Sequence, residues 1–271
     1  MLLNLTEYHR PTILADAVHL LRAGAGRAAV LAGGTELVGR QDSELAAVID
    51  LRGLGLAGLS PAATGLGIGA MTTLKELAAL PAVGCLAGGI LARAAQVSAP
   101  ATIRAAATLG GTLAGCKGGE EIPTVLLALG ARVALAEPEL VEVPFATFLR
   151  DRDELLEAAI ITSIIIPARA AEARGGFVRV TRTPADRAIV CAAAVVPVGG
   201  AATVAVGGVE AHPRQVDPAG EFATWEAVGD HRAGAEYRRR VAPVLVRRAL
   251  AEAQAEAQAE AEAESDGGAE V

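Results

Sequence analysis

Aromatic side chains are scarce in this chain of 271 residues: they make up 3%, with one Trp, two Tyr and four Phe. So few rings leave little with which to stack on bases or sugars. Positive charge is also short. Lys and Arg number 24 against 31 Asp and Glu, a formal net charge of -7. That balance argues against a nucleic-acid backbone as partner, because such binding draws on clustered cations. The densest basic cluster is Arg238, Arg239 and Arg240, followed by Arg247 and Arg248. On a helix these interleave with Val241, Val244 and Leu245, so they are expected to form the solvated side of an amphipathic surface helix.

Cysteine is sparse as well. Cys85, Cys116 and Cys191 are odd in number and far apart, which fits neither a disulfide framework nor a CxxC metal site. The four histidines (His9, His19, His212 and His231) are scattered, with no HExxH spacing. No Ser sits in a GxSxG elbow and no Lys follows a glycine run as in a P-loop. Long apolar runs are missing too: Ile164, Ile165 and Ile166 already end at Pro167, far short of the roughly 20 residues that span a bilayer. The N-terminus carries Glu7 and Asp16 and has no basic stretch leading into an apolar core, so no signal peptide is expected. The chain is read as cytoplasmic, with buried or free thiols and neither catalytic nor metal-ligating residues of its own.

What is abundant is small and apolar. With 52% hydrophobic residues, the chain can bury the core of one large domain or two smaller ones. Its Ala and Gly let helices pack closely on sheets and let backbone approach a ligand. The first block reads as a helix around Ala17, Leu20 and Leu21, a strand over 28–32 ending at Gly33-Gly34, and a further strand over 47–51. In the second block, 66–70 reads as a strand. Thr73 with Glu76 reads as a capping box, and 87–95 as a small-residue helix. A helix over 122–129 follows, with Pro123 in its first turn, then strands over 133–136 and 160–166. The third block reads as strands over 177–181, 189–196 and 203–206 and a long helix over 235–253. The remaining Ala/Glu-rich tail has acids without basic partners four residues on, so it is expected to fray in solvent.

Two glycine pairs stand out, Ala32-Gly33-Gly34-Thr35-Glu36 and Thr108-Leu109-Gly110-Gly111-Thr112. Adjacent glycines can take positive φ and turn successive N–H groups toward one anion, so two such loops could clamp a diphosphate; the alternative is that each is only a turn. Gly24-Ala-Gly26 is not a dinucleotide fingerprint, because it precedes its strand where that fingerprint must follow one.

These loops belong to an ordered series. Val30-Leu-Ala-Gly-Gly-Thr-Glu-Leu37, Ile49-Asp-Leu51, Leu66-Gly-Ile-Gly-Ala-Met-Thr72 and Ile103-Arg-Ala-Ala-Ala-Thr-Leu-Gly-Gly-Thr-Leu-Ala114 follow one another. Pro123-Thr-Val-Leu-Leu-Ala-Leu129, Arg182-Thr-Pro-Ala-Asp186, Gly207-Gly-Val209 and Asp230-His-Arg-Ala-Gly-Ala-Glu-Tyr-Arg238 continue it. Together they resemble the FAD-binding medium subunit of the xanthine dehydrogenase and aerobic carbon monoxide dehydrogenase family of molybdenum hydroxylases, over nearly the whole chain to about residue 250.

The resemblance implies an α+β fold: an FAD-binding domain of vanillyl-alcohol-oxidase (PCMH) type with two α/β subdomains, then a small C-terminal domain of antiparallel strands and helices. It sets these at residues 1–168 and 174–252, with a flexible tail at 253–271. It implies non-covalent FAD, held by Val30, Leu31, Ala32, Gly33, Gly34, Thr35 and Glu36 and by Thr108, Leu109, Gly110, Gly111 and Thr112. Glu121 stands where such subunits carry an Asp on the ribose. The implied activity is oxidoreductase, passing electrons from iron–sulfur centres through FAD to an external acceptor. The implied partners are a large molybdenum-cofactor subunit and a small 2Fe–2S subunit, assembled as a dimer of heterotrimers. The sequence departs from the family at Thr112, where Asn is usual, at Gly115-Cys-Lys-Gly-Gly119 and at Arg187. Lys117 and Arg187 are expected near the flavin edge or as solvated loop cations. Two other readings share the glycine loops: a stand-alone FAD oxidoreductase acting on a small molecule, and an interaction protein that has lost its flavin.

Covalent attachment in this fold uses His or Cys, and neither occurs within Val30–Glu36 or Thr108–Thr112. Acid precipitation should therefore leave a yellow supernatant over a colourless pellet. Colour retained in the pellet would implicate Cys116, the nearest thiol in sequence.

Overall fold

The computed structural model describes residues 4–40, 42–116, 121–137, 139–220, 222 and 224–267, with side chains through residue 255. The chain begins β1 (Glu7–His9), α1 (Leu14–Ala23), β2 (Ala28–Leu31), β3 (Ala47–Asp50), β4 (Leu59–Ala62), β5 (Gly65–Gly69) and α2 (Leu74–Ala79). It continues α3 (Pro81–Gly84), α4 (Ile90–Val97), α5 (Ala101–Arg104), α6 (Leu109–Ala114), α7 (Glu121–Leu129), β6 (Arg132–Glu137) and β7 (Glu139–Pro144). It ends α8 (Phe145–Leu156), β8 (Ile160–Pro167), β9 (Arg174–Val180), β10 (Val190–Val196), β11 (Thr203–Gly207), β12 (Arg214–Val216) and α9 (Ala235–Gly267). Separate helices and mostly antiparallel strands make this the expected α+β class. Among the described residues no helix is long and apolar enough to cross a membrane.

Two compact units result. The first comprises Met1–Leu77, Pro100–Cys116 and Gly130–Pro167, the second Ala78–Ala99, Lys117–Leu129 and Ala168–Val271. Residues 78–99 and 117–129 thus group with the second unit, although sequence places them inside the range 1–168. The reason is α7, whose residues are all buried. A helix that is mostly apolar all round must be covered all round, and β10, β11 and α4 supply that cover.

The first unit holds two sheets. One is parallel, in the order β1-β3-β2, with Val30 opposite Ile49 and Leu31 opposite Asp50. The other is antiparallel, in the order β4-β5-β8-β6-β7. Ala17, Val18 and Leu21 of α1 pack with Ile49, Leu51, Ala136 and Ile160. The capping box read from sequence forms: the Glu76 amide donates to Thr73 Oγ1 at 3.2 Å, and the Thr73 amide to Glu76 Oε2 at 2.8 Å.

The second unit lays α9 along the sheet β12-β11-β10-β9. Ala242, Leu245, Val246 and Ala249 pack on Val190, Ala192, Ala194, Val204 and Val206, beside Trp225. The approach is so close that a Cβ on Gly176 would run into the Ala249 carbonyl, which is what the small residues are for. Two expectations change here. The helix read over 87–95 begins only at Ile90, because Ala87, Gly88 and Gly89 are left-handed (φ 45°, 62° and 72°). A Cβ on Gly175 of β9 would strike the Ala87 carbonyl, so the chain turns where the strand passes. In addition, α9 extends to Gly267, past the expected limit near 253, as its Ala-rich sequence favours.

The basic cluster at the start of α9 is not wholly a surface feature. Arg238 is 3% exposed. It donates from Nη1 to the Ile189 and Gly208 carbonyls at 2.6 Å each, and from Nη2 to Asp230 Oδ1 at 2.5 Å. Its charge is matched inside, so burial is tolerated.

The first unit buries a charge in the same manner. Asp50 is fully buried at the end of β3, bonded by the Tyr8 hydroxyl, by the Arg52 amide at 2.9 Å and by Arg52 Nη2 at 2.5 Å. Burial alone would raise its carboxyl. Bonds from the Arg52 side chain, the Tyr8 hydroxyl and the Arg52 amide outweigh it and hold the group at about 2, from an ordinary 3.8. A carboxyl depressed in the fold contributes stability that is complete above its unfolded value and lost as pH falls through the folded one. Between about pH 5 and about pH 2, urea unfolding should show the wild type losing about 2 kcal/mol that Asp50→Asn does not lose. Parallel pH profiles for the two proteins would count against this role.

Candidate functional site

The site is built where β2 stops. After Leu31 the chain leaves the sheet through Ala32-Gly33-Gly34-Thr35 and closes into a short 3-10 turn, with the Val38 amide on the Gly34 carbonyl at 3.1 Å. Gly33 is there for contact: a Cβ would meet the Ala106 carbonyl oxygen well inside the 3.0 Å that real Cβ atoms keep. Gly34 is there for conformation, with φ +71°, the positive φ that sequence expected of the glycine pairs and the only one among their four glycines. Among the described residues, the amides of Gly33, Gly34 and Thr35 donate to no protein acceptor. Successive unspent N–H groups on one bend form an anion-binding concavity.

The second glycine pair is not such a concavity. Residues 109–114 form α6, with Thr108 as its N-cap. Thr108 Oγ1 accepts the Gly111 amide at 3.2 Å. The Gly110 amide donates to the Ala70 carbonyl at 2.8 Å and that of Leu109 to the Thr72 carbonyl at 2.9 Å. Sequence anticipated amides turned to a ligand from both loops, but those of the second loop are committed to the protein. Its glycines serve space instead. A Cβ on Gly110 would lie 2.7 Å from Ala70 Cβ, and one on Gly111 would lie 3.7 Å from Ala32 Cβ and 2.9 Å from Thr108 Oγ1.

Between the two loops is a cavity of about 360 Å³. Of the residues expected at the site, Val30, Ala32, Gly33, Gly34, Thr35, Glu36, Thr108, Gly110 and Gly111 line it, while Leu31, Leu109 and Thr112 do not. Leu21, Leu51, Met71, Ile160 and Ile161 add an apolar wall, and Arg40, Asp153 and Glu157 add charge. Sequence reading passed over these because their elements lie far apart along the chain. The only early signal was that Leu51 and Met71 stand inside the quoted motifs.

Glu121, expected at a ribose, belongs to the second unit. It is 1% exposed and accepts from Arg179 Nη1 at 2.9 Å and from the Ala188 amide at 3.1 Å. Burial pushes its carboxyl up, and bonds from its own amide and from Arg179 oppose this. Arg179 also donates to the Pro184 and Asp186 carbonyls, and the Thr183 amide to Asp186 Oδ2. The carboxylate therefore anchors the bend carrying the Arg182–Asp186 motif. Cys191, beside Thr124, is fully buried, and burial followed by the Glu121 charge pushes its thiol up to about 12, far from a reactive thiolate. Lys117 lies outside the described residues; Arg187 is exposed on its loop. Among the described residues no cluster of His, Cys, Asp or Glu could hold a metal ion.

Comparison with known proteins gives a consistent result. Residues 4–169 match the family described as the FAD binding domain in molybdopterin dehydrogenase. The chain is 30% identical over 288 residues to the carbon monoxide dehydrogenase medium chain of Afipia carboxidovorans, covering 92% of this chain and 96% of that one. Among solved structures it is similar to a chain of carbon monoxide dehydrogenase from Hydrogenophaga pseudoflava, with TM-score 0.84 and 25% identity over 94% of this chain and 99% of that one. A chain of quinoline 2-oxidoreductase from Pseudomonas putida 86 gives TM-score 0.81 and 26% identity, again over 94% and 99%.

The glycines of the two loops should respond differently to substitution. Gly33→Ala forces backbone apart and should cost about 1–3 kcal/mol in thermal or urea unfolding. Gly111→Val should stay folded, since its nearest neighbours are a hydroxyl and a methyl group, yet purify depleted of FAD because the side chain narrows the cavity. Circular dichroism and the flavin-to-protein absorbance ratio separate the two effects. A folded Gly111→Val protein with full flavin would refute the assignment of this wall.

Proposed function

The chain belongs to the family of FAD-binding domains of molybdopterin dehydrogenases, and we propose that its FAD occupies the cavity of the first unit with the diphosphate on the Gly33–Thr35 bend. As a member, it is the flavoprotein subunit of an oxidoreductase complex. The observation that carries the placement is the set of unspent amides at Gly33, Gly34 and Thr35, opening on a cavity whose other side is the glycine-bearing start of α6. Neutral N–H dipoles held by a rigid bend accept an anion without the cost of burying a second full charge.

When bound, FAD supplies a ring that takes up electrons singly and gives them up in pairs. The residues of this chain have simpler tasks. Gly33, seated on the Ala106 carbonyl, fixes the bend against the segment leading into α6. Thr108 caps α6 so that Gly110 and Gly111 face the ligand without side chains. Leu51, Met71, Ile160 and Ile161 keep water from the cavity's inner wall. No group needs to move a substrate proton, which agrees with a site whose inner wall is apolar. We read the FAD as non-covalent, since Cys116 is buried and does not line the cavity.

The same reading supplies the partners: a large molybdenum-cofactor subunit that oxidises the substrate and a small 2Fe–2S subunit that delivers the electrons, assembled as a dimer of heterotrimers. Its support is the similarity over nearly full length to a chain named as the medium chain of carbon monoxide dehydrogenase. A cytoplasmic location goes with it, supported by Cys85, Cys116 and Cys191, none of which forms a disulfide.

Purified from its native host, the chain should bring a molybdenum subunit and an iron–sulfur subunit with it. The isolated flavoprotein should turn over no small substrate. Oxidation of a small molecule at an ordinary enzymatic rate by the isolated chain, without molybdenum or iron, would replace the relay with a stand-alone flavoenzyme.

A further inference from the structure

The charges lining the cavity are out of balance for the ligand. Glu36, Asp153 and Glu157 contribute three carboxylates and Arg40 is the single basic residue among the described lining. Asp153 is answered locally, because Arg152 Nη2 donates to its Oδ1 at 2.8 Å. That leaves Glu157 to repel a diphosphate, and the amides of the Gly33–Thr35 bend, being dipoles, cannot offset a full charge alone.

Arg40 is placed to do so. It ends the 3-10 turn Val38–Arg40 that follows the bend at once, and its own amide donates to the Leu37 carbonyl at 3.3 Å. The guanidinium is thereby carried on the same tight turn as the free amides. It is exposed, it borders the cavity, and among the described residues it makes no ion pair or side-chain hydrogen bond. The neighbouring arginines contrast with it: Arg52 is bound to Asp50 and Arg152 to Asp153. A side chain with five donors, bordering an anion site and matched by no partner among the described residues, has the geometry for phosphate.

We infer that Arg40 is the counter-ion of the FAD diphosphate and makes the site select a dinucleotide flavin over an uncharged one. This rests on the placement of FAD in this cavity. Its consequence is that affinity for FAD is partly ionic and falls with salt, whereas affinity for riboflavin does not.

The test titrates the flavin-free full chain with FAD and with riboflavin, following quenching of flavin fluorescence at low and high salt. Arg40→Gln should bind FAD about tenfold or more weakly than wild type, with a flatter salt dependence. Its riboflavin affinity should be unchanged, and Arg40→Lys should recover most of the FAD affinity. Circular dichroism checks that the variants fold, which they should, since Arg40 is exposed. Equal loss of FAD and riboflavin affinity in Arg40→Gln would overturn the inference, as would wild-type FAD affinity and salt slope. Failure of wild type itself to bind FAD would instead sink the placement of the cofactor on which the inference rests.

Discussion

Gly33 meets the Ala106 carbonyl so closely that no side chain fits between them, and this contact of backbone on backbone makes a cavity out of two loops. The bend after β2 and the segment leading into α6 are held together by it. The amides of Leu109 and Gly110 then tie that segment to the carbonyls of Thr72 and Ala70, just past β5. The parallel and antiparallel sheets of the first unit thus share a wall joined through backbone contacts at Gly33, Leu109 and Gly110. A ligand held by such a wall is recognised through N–H groups and through space left open, and the chain's wealth of Gly and Ala follows from that use.

Buried charge in this protein serves the fold. Asp50 with Arg52, Glu121 with Arg179 and Asp230 with Arg238 are each a carboxylate answered by a guanidinium. Each pair is completed by backbone: the amides of Arg52 and Ala188 on the carboxylates, the carbonyls of Ile189 and Gly208 on Arg238. Removing one partner would strand a charge in the interior, which is far costlier than the net worth of the pair. Three motifs of the family are accounted for this way, around Ile49–Leu51, Arg182–Asp186 and Asp230–Arg238. Gly208 belongs with them: its φ is +87°, and a Cβ on it would strike the Ile189 carbonyl, the same carbonyl that Arg238 holds.

An electron relay asks little acid–base chemistry of its protein, and the cavity reflects this. Its inner side is Leu, Met and Ile, and two of its three carboxylates, those of Asp153 and Glu157, are on exposed residues. The demands that remain are a rigid seat for an anion, a dry wall, and partner surfaces that carry the chemistry elsewhere.

Much of this was legible along the chain wherever the cause is local. The Thr73–Glu76 capping box, the strand at 65–69, the isoleucine-rich strand β8 and the helix with Pro123 in its first turn depend on neighbours a few residues away. The order of the glycine loops and motifs identified the family. What sequence could not show is which partner an atom finds from far along the chain. Gly33 and Gly111 read alike as glycines, yet the amide of one is free and that of the other is spent on Thr108. Glu121 read as a ligand carboxylate, and nothing near it in sequence announced its bond from Arg179, 58 positions on. Arg238 read as surface until Asp230 and two carbonyls enclosed it. Arg40, Ile160 and Ile161 had no signal at all, because the cavity they border exists only once α1, β2, α6 and β8 are brought together. Hydrogen bonding within a turn or cap is written in adjacent residues; burial, counter-charge and the walls of a cavity are properties of chain segments that meet only in the fold.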